Sequence, residues 1–141
     1  MTAALREECL AALRGAGLDG LQYGAEEDTW YFLFSAAVLR VECAWRFARA
    51  DGSVFGPGDL EFLAPPGGTE ELPAELRPFL EGAVVTEVQV SESGDLRLEF
   101  SGAAHLAVLC NKRMYENWVL DLPGGRFLLA GPGGGLVVGE R

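Results

Sequence analysis

The sequence predicts an α+β protein in which two similar halves, each a helix followed by an antiparallel β-meander, pack as one domain. A length of 141 residues suits a single domain, which we assign to residues 1–141. Apolar and polar side chains alternate through Leu39–Phe47, as is typical of a strand with one buried face. The order of the segments repeats along the chain, which places the two halves at residues 1–68 and 73–141.

The first half is predicted to begin with a helix over Ala3–Ala16. Apolar residues such as Leu5, Cys9 and Leu13 recur there at helical spacing, and Gly17 follows its end. The other predicted elements of this half are a strand at Trp30–Phe34, the strand at Leu39–Phe47, a turn at Asp51-Gly52 and a short strand at Val54-Phe55.

The second half is predicted to follow a loop over Pro57–Glu71 and to begin with a short helix over Pro73–Glu81. Strands are then expected wherever short apolar runs are separated by turn residues. These runs are Val84–Val90, Leu96–Phe100, Leu106–Cys110, Trp118–Leu122, Phe127–Ala130 and Leu136–Val138.

Matching strand residues are the main sign of an internal repeat. They are Leu39, Val41, Cys43 and Trp45 in the first half, and Leu106, Val108, Cys110 and Trp118 in the second. An insertion, Asn111–Glu116, separates the cysteine from the tryptophan in the second half. One helix and one small meander cannot cover their own apolar face, so we expect the halves to pack together with both tryptophans buried.

The composition restricts the classes of partner and the compartment. The formal net charge is −10, from 21 acidic and 11 basic residues, so a nucleic acid or an anionic membrane is not expected as a partner. A basic protein fits this charge, although the charge also serves solubility alone. The three cysteines have no metal-ligand spacing and are expected to be reduced thiols in the core. The N-terminus does not resemble a secretory signal, and we expect a cytoplasmic protein.

No set of residues in the sequence predicts catalysis, a metal or a cofactor. His105 is the single histidine, and its possible nucleophiles, Ser101 and Cys110, lie in or beside predicted strands rather than on an exposed turn. A glycine pattern at Gly15–Gly20 resembles a dinucleotide-binding loop but follows a predicted helix instead of a strand. We therefore predict no catalytic residues, no metal ligands and no cofactor.

Two loops are the candidate partner-binding segments. Exposed arginine and tyrosine are favoured anchors of protein interfaces, and the insertion carries both, while the acidic loop supplies negative charge. A solvated acidic loop and a tyrosine that folds back over the sheet are the alternatives. The candidate residues are Glu26, Glu27 and Asp28 in one loop and Lys112, Arg113, Tyr115 and Glu116 in the other.

The segment from Gly94 through Tyr115 and Trp118 to the closing Pro-Gly-Gly sequence resembles small uncharacterised bacterial β-rich domains. The likeness covers residues 82–135, and some such proteins look like immunity partners of polymorphic toxins. The resemblance supplies no catalytic residues. The expected function is a non-enzymatic acidic protein-binding module, in particular an immunity-type inhibitor of a basic toxin. The alternatives are a small-molecule-binding or enzymatic domain with a pocket between the halves, and a self-associating structural domain with Leu136–Val138 as its edge.

Overall fold

A computed structural model describes residues 3–24, 26–60 and 82–141, with the side chains of residues 59 and 60 outside the description. Its helices are α1 (Ala3–Ala11) and the single turn α2 (Pro57–Leu60), and short 3₁₀ turns lie at Pro123–Gly125 and Pro132–Gly134. The strands are β1 (Leu18–Gly24), β2 (Thr29–Phe34), β3 (Val38–Val41), β4 (Ala44–Ala48), β5 (Val54–Phe55), β6 (Val85–Val90), β7 (Leu96–Phe100), β8 (His105–Leu109), β9 (Trp118–Asp121), β10 (Arg126–Ala130) and β11 (Leu136–Glu140).

Two antiparallel sheets form a sandwich. The first sheet has six strands in the order β1-β2-β3-β9-β10-β11, and the second has five in the order β5-β4-β8-β7-β6. Alternate residues of each strand face the space between the sheets, as the period of two requires. On β2, for example, Trp30, Phe32 and Phe34 are buried while Tyr31 and Leu33 are partly exposed. The core therefore lies between the sheets.

The prediction of an α+β fold with two helix-plus-meander halves is wrong. Among the described residues, α1 is the one helix longer than a single turn, and strands build most of the core. The predicted helix Ala3–Ala16 ends at Ala11, and Ala16 already pairs with β6 through a hydrogen bond from the Val85 N–H. The second predicted helix, Pro73–Glu81, lies outside the described residues.

The predicted strand Leu39–Phe47 is two strands in different sheets. The chain leaves the first sheet after Val41 and enters the second at Ala44. Inward-facing residues keep the same spacing through this crossing, because a chain that passes from one inner face to the other still buries every second side chain. Alternation alone therefore could not reveal the break at Glu42 and Cys43.

Both parts of the chain contribute a three-stranded meander. The meander β1-β2-β3 lies in the first sheet and continues into β4 of the second, whereas β6-β7-β8 lies in the second sheet and continues into β9 of the first. The prediction that both Trp45 and Trp118 are buried is confirmed, since their exposed fractions are 2% and 0%. An internal duplication with boundaries at 1–68 and 73–141 stays a prediction.

The sandwich is closed at one side and has free sheet edges at the other. At the closed side, Gly17 next to β1 forms an antiparallel bridge with Val84 next to β6. At the other side, β11 and β5 are the outer strands of their sheets. Helix α1 buries Cys9 and Leu10 in the core. No helix of the described residues is long and apolar enough to cross a bilayer.

Candidate functional site

A polar cleft lies where the β1–β2 turn meets the loop of residues 111–117. Its volume is about 390 Å³. We call it the acidic cleft, and its lining residues are Glu27, Asp28, Glu42, Lys112, Tyr115 and Glu116. The first three precede the others by seventy or more positions in the chain, and the pairing of β3 with β9 brings the two groups together.

The β1–β2 turn holds its carboxylates by hydrogen bonds from tyrosines on the flanking strands. The Tyr23 hydroxyl donates to Asp28 Oδ1 at 2.9 Å, and the Tyr31 hydroxyl donates to Glu27 Oε1 at 3.4 Å. Asp28 has a positive φ of 51°, a conformation that aspartate adopts more readily than most residues. The turn therefore presents both carboxylates in defined positions.

Asn117 anchors the opposite loop. Its side chain is fully buried and acts as an extra backbone unit: Oδ1 accepts from the Lys112 N–H at 2.9 Å, while Nδ2 donates to the carbonyls of Lys112 and Gly131. The Asn117 carbonyl also accepts from the N–H of Glu42 at 2.8 Å, which ties the loop to the crossing after β3. Asn111 fixes the other end, since its Oδ1 accepts from the Ala44 N–H at 3.2 Å.

The tip of this loop exposes two large side chains. Met114 is 79% exposed and Tyr115 is 73% exposed, and both are preceded by the exposed Arg113. The loop ends are held by the hydrogen bonds of Asn111 and Asn117, while its tip remains in solvent. A rigidly mounted aromatic and thioether pair of this kind loses little entropy on contact with a partner.

The cleft is strongly negative. Four of its six lining side chains are carboxylates, and Lys112 is the one cation among the described lining residues. Burial, followed by the negative charge of Glu27, raises the pKa of the Tyr31 phenol above its ordinary value. Tyr31 is therefore a neutral donor to Glu27 at physiological pH. A cationic group entering the cleft meets an excess of negative charge.

The structure places most of the predicted binding residues together. Glu27 and Asp28 from one predicted loop and Lys112, Tyr115 and Glu116 from the other line the same cleft. The remaining two, Glu26 and Arg113, are exposed and lie outside its lining.

Sequence reasoning missed two residues of the site. Glu42 appeared only as a polar position of an alternating strand, although it lines the cleft and accepts a hydrogen bond from the Thr29 hydroxyl at 3.3 Å. Asn117, which directly follows the insertion Asn111–Glu116, was not among the predicted binding residues. The available signal was the position of Asn117 directly before Trp118, which was expected to be buried. A side-chain amide that is buried beside such a residue must find hydrogen-bond partners, and backbone groups supply them.

The cleft does not have the features of a metal site or an acid–base pair. Among the described residues, no group of three or more histidine, cysteine, aspartate or glutamate side chains is arranged to hold a metal ion. Glu27, Asp28 and Glu116 are solvent-exposed, whereas a carboxylate pair tuned for proton transfer is usually desolvated. His105 begins β8, at the opposite end of that strand from Cys110.

The fold and the site define a small acidic β-sandwich protein with an open, charged cleft. A family model matches residues 29–140, and the chain belongs to this family, a family of unknown function (DUF6188). The match confirms the resemblance to an uncharacterised family and extends it beyond residues 82–135 into the first half. No curated protein and no solved structure matches the chain.

Proposed function

We propose that this protein is a non-enzymatic binding module whose acidic cleft and loop tip hold a basic protein, in particular as an immunity-type inhibitor of a basic toxin. The observation that carries the proposal is the convergence of two distant loops on one cleft. One loop supplies carboxylates held by tyrosines, and the other supplies an exposed methionine and tyrosine on a buried asparagine anchor.

Charge and apolar contact have different roles in such an interface. A net charge of −10 raises the rate of encounter with a basic partner and selects against acidic ones. Desolvated contact with Tyr115 and Met114 would provide much of the affinity, because aromatic anchors contribute more than rim charges. The Glu27 and Asp28 carboxylates would then orient lysine or arginine side chains of the partner at the edge of that contact.

One observation favours each of the two alternative functions, a small-molecule-binding or enzymatic domain and a self-associating structural domain. The acidic cleft takes residues from both halves, which suits a pocket between them, but its exposed carboxylates fit a protein surface better than a small molecule. Strand β11 is a sheet edge on which Val137 is exposed, which suits self-association. Light scattering of the isolated chain separates a self-associating protein from a monomer that binds another protein.

The proposal is tested by capturing partners from the native host with the immobilised protein at low and moderate salt. We expect a basic protein to be retained, and Tyr115→Ala to weaken its binding by roughly 30-fold, the effect of losing an anchor worth about 2 kcal/mol. The double substitution Glu27→Gln with Asp28→Asn should weaken binding by about tenfold at low salt and less at moderate salt. Glu27→Gln and Asp28→Asn keep the shapes of these side chains and their contacts with Tyr31 and Tyr23.

A charge-matched control distinguishes the cleft from the overall charge. Asp19→Asn with Glu87→Gln removes the same two charges from exposed positions on β1 and β6 and should leave binding nearly unchanged. The proposal fails if no partner is retained at either salt concentration. It also fails if the cleft variants and the control bind a captured partner equally well.

A further inference from the structure

Cys43 and Cys110 are neighbours at the end of a strand pair. Strands β4 and β8 are antiparallel, and their register pairs Ala44 with Leu109 as its last partners on this side. Extended by one residue, the same register would set Cys43 opposite Cys110, and the effect of Cys110 on the pKa of Cys43 is consistent with two close neighbours. The Cys110 N–H donates to Asp95 Oδ1 at 2.7 Å, toward β7 and away from β4, so this position is of the non-hydrogen-bonded type.

That position suits a covalent link. Cα atoms of directly opposed residues at a non-hydrogen-bonded position are about 4.5 Å apart, and their side chains leave the same face of the sheet. Disulfides join Cα atoms that are roughly 4.4–6.8 Å apart. Both sulfurs are free thiols in this structure, and the Cys110 thiol donates to the Gly94 carbonyl at 3.2 Å.

We infer that Cys43 and Cys110 are a reversible redox site, which a peroxide converts into a cross-strand disulfide. The link would join the two segments at which the chain leaves one sheet for the other. Its neighbours in sequence are Glu42 and, two positions after Cys110, Lys112, both of which line the acidic cleft. Oxidation would therefore restrict the movement of Glu42 and Lys112 relative to each other, whichever ligand the cleft binds.

With hydrogen peroxide as the oxidant, the reaction balances with one peroxide molecule for each disulfide. Cys110 is the more exposed of the two, whereas Cys43 is only 6% exposed, so the Cys110 thiolate attacks the peroxide oxygen first. The O–O bond breaks, one water leaves and Cys110 becomes a sulfenic acid. The Cys43 sulfur then attacks that sulfur, the S–O bond breaks and a second water leaves. The two thiols lose two electrons and two hydrogens to the peroxide.

The surroundings of both thiols make this reaction slow at neutral pH. Burial, and then the charge of Asp95, raise the pKa of Cys110 to about 11. Burial, and then the adjacent Cys110, raise the pKa of Cys43 to about 12, against the opposing effects of a backbone hydrogen bond and of Lys112. Because the thiolate is the nucleophile, the oxidation rate should rise about tenfold per pH unit between pH 7 and 9.

To test this inference, the full-length protein is treated with hydrogen peroxide at about pH 8.5 and digested without a reducing agent. Cross-linked peptides are then identified by mass spectrometry. We expect a Cys43–Cys110 peptide pair that dithiothreitol abolishes, while Cys9 stays a free thiol in the core. The disulfide encloses a long loop, so the melting temperature should rise by roughly 5–12 °C on oxidation and fall again on reduction.

Single variants serve as controls. Cys9→Ser should cross-link as the wild type does, and Cys110→Ser, at the more exposed position, should lose the peptide pair and the rise in melting temperature together. The inference is overturned if the folded wild type yields only sulfenic or higher oxides of single cysteines, intermolecular dimers, or pairs that contain Cys9. Because that result is read from the wild type, it does not depend on the folding of any variant.

Discussion

Two buried tryptophans differ in one hydrogen bond. Trp118 donates its Nε1–H to the Gly94 carbonyl at 2.8 Å, whereas the buried Nε1 of Trp45 has no hydrogen-bond partner among the described residues. Trp45 instead packs its ring edge-on against Trp30 and Phe32, with centroid separations of 5.3 and 5.1 Å. An unpaired buried donor costs free energy that the aromatic contacts must offset.

Replacement of each tryptophan by phenylalanine should therefore have unequal costs. Trp118→Phe loses buried ring area and a hydrogen bond, while Trp45→Phe loses similar area but also removes the unpaired donor. We expect Trp118→Phe to reduce the free energy of unfolding by at least about 1 kcal/mol more than Trp45→Phe, as measured by urea denaturation. Equal costs, or a larger cost for Trp45→Phe, would contradict this reading of the two sites.

At the residue scale, the burial of a side chain could be predicted from the sequence, but its hydrogen-bond partners could not. The alternation around Trp45 showed that its side chain faces the core, and the composition of the two loops indicated Glu27, Asp28 and Tyr115 as surface binding residues. The role of Asn117 depends on carbonyls at Lys112 and Gly131 that only the fold brings within reach. The binding roles of the cleft residues stay predictions.

Among the elements, the β6–β7 hairpin and the 3₁₀ turn before β11 are in unusually close contact. A Cβ atom added at Gly134 would collide with the Ser93 carbonyl, and one added at Gly94 would collide with the backbone of Gly134. Gly133, one residue earlier, has a similar positive φ of 73° but open space around it. Substitution of Gly133 therefore measures the free-energy cost of the positive φ alone, whereas substitution of Gly134 measures that cost together with the cost of the close contact.

Alanine at these two positions should give a clear difference in stability. Gly133→Ala should cost about 1 kcal/mol, because alanine tolerates a positive φ poorly. Gly134→Ala bears the same cost and forces the hairpin away from the turn, so it should cost at least about 2 kcal/mol more. Thermal unfolding of both variants measures this, and similar melting temperatures would show that the hairpin does not press on the turn.

Most strands could be predicted because short apolar runs between turn residues are typical of β-proteins. The exception is β1, which was not predicted as a strand, because Gly17 was interpreted as the end of a helix and glycines at positions 20 and 24 weaken the strand pattern. The crossing at Glu42 and Cys43 was invisible for a different reason, since both sheets bury alternate residues of one continuous pattern. Assignment of strands to sheets depends on partners far along the chain, such as β3 with β9.

For the whole molecule, each sheet is assembled from strands on both sides of the segment 61–81. The first sheet joins β1–β3 to β9–β11, and the second joins β4 and β5 to β6–β8. Neither residues 1–60 nor residues 82–141 contain a complete sheet, and each fragment alone would leave the inward faces of its strands uncovered.

Separate fragments 1–60 and 82–141 should therefore remain unfolded alone and fold when mixed. Trp30 and Trp45 lie in one fragment and Trp118 in the other, so near-ultraviolet circular dichroism reports on both. We expect a structured aromatic signal only in the mixture, with equimolar stoichiometry. A fragment that develops this signal alone would show that one half is a folding unit.

The pairing of β3 with β9 has a consequence for synthesis on the ribosome. Until β9 emerges from the exit tunnel, the outer edge of β3 has no strand beside it, and Leu39 and Val41 have nothing from that end of the chain to pack against. Translation must proceed through β9, at Trp118–Asp121, before that edge can be closed. Nascent chains of this protein are therefore expected to expose an unpaired sheet edge, and with it a risk of aggregation, until β9 is available.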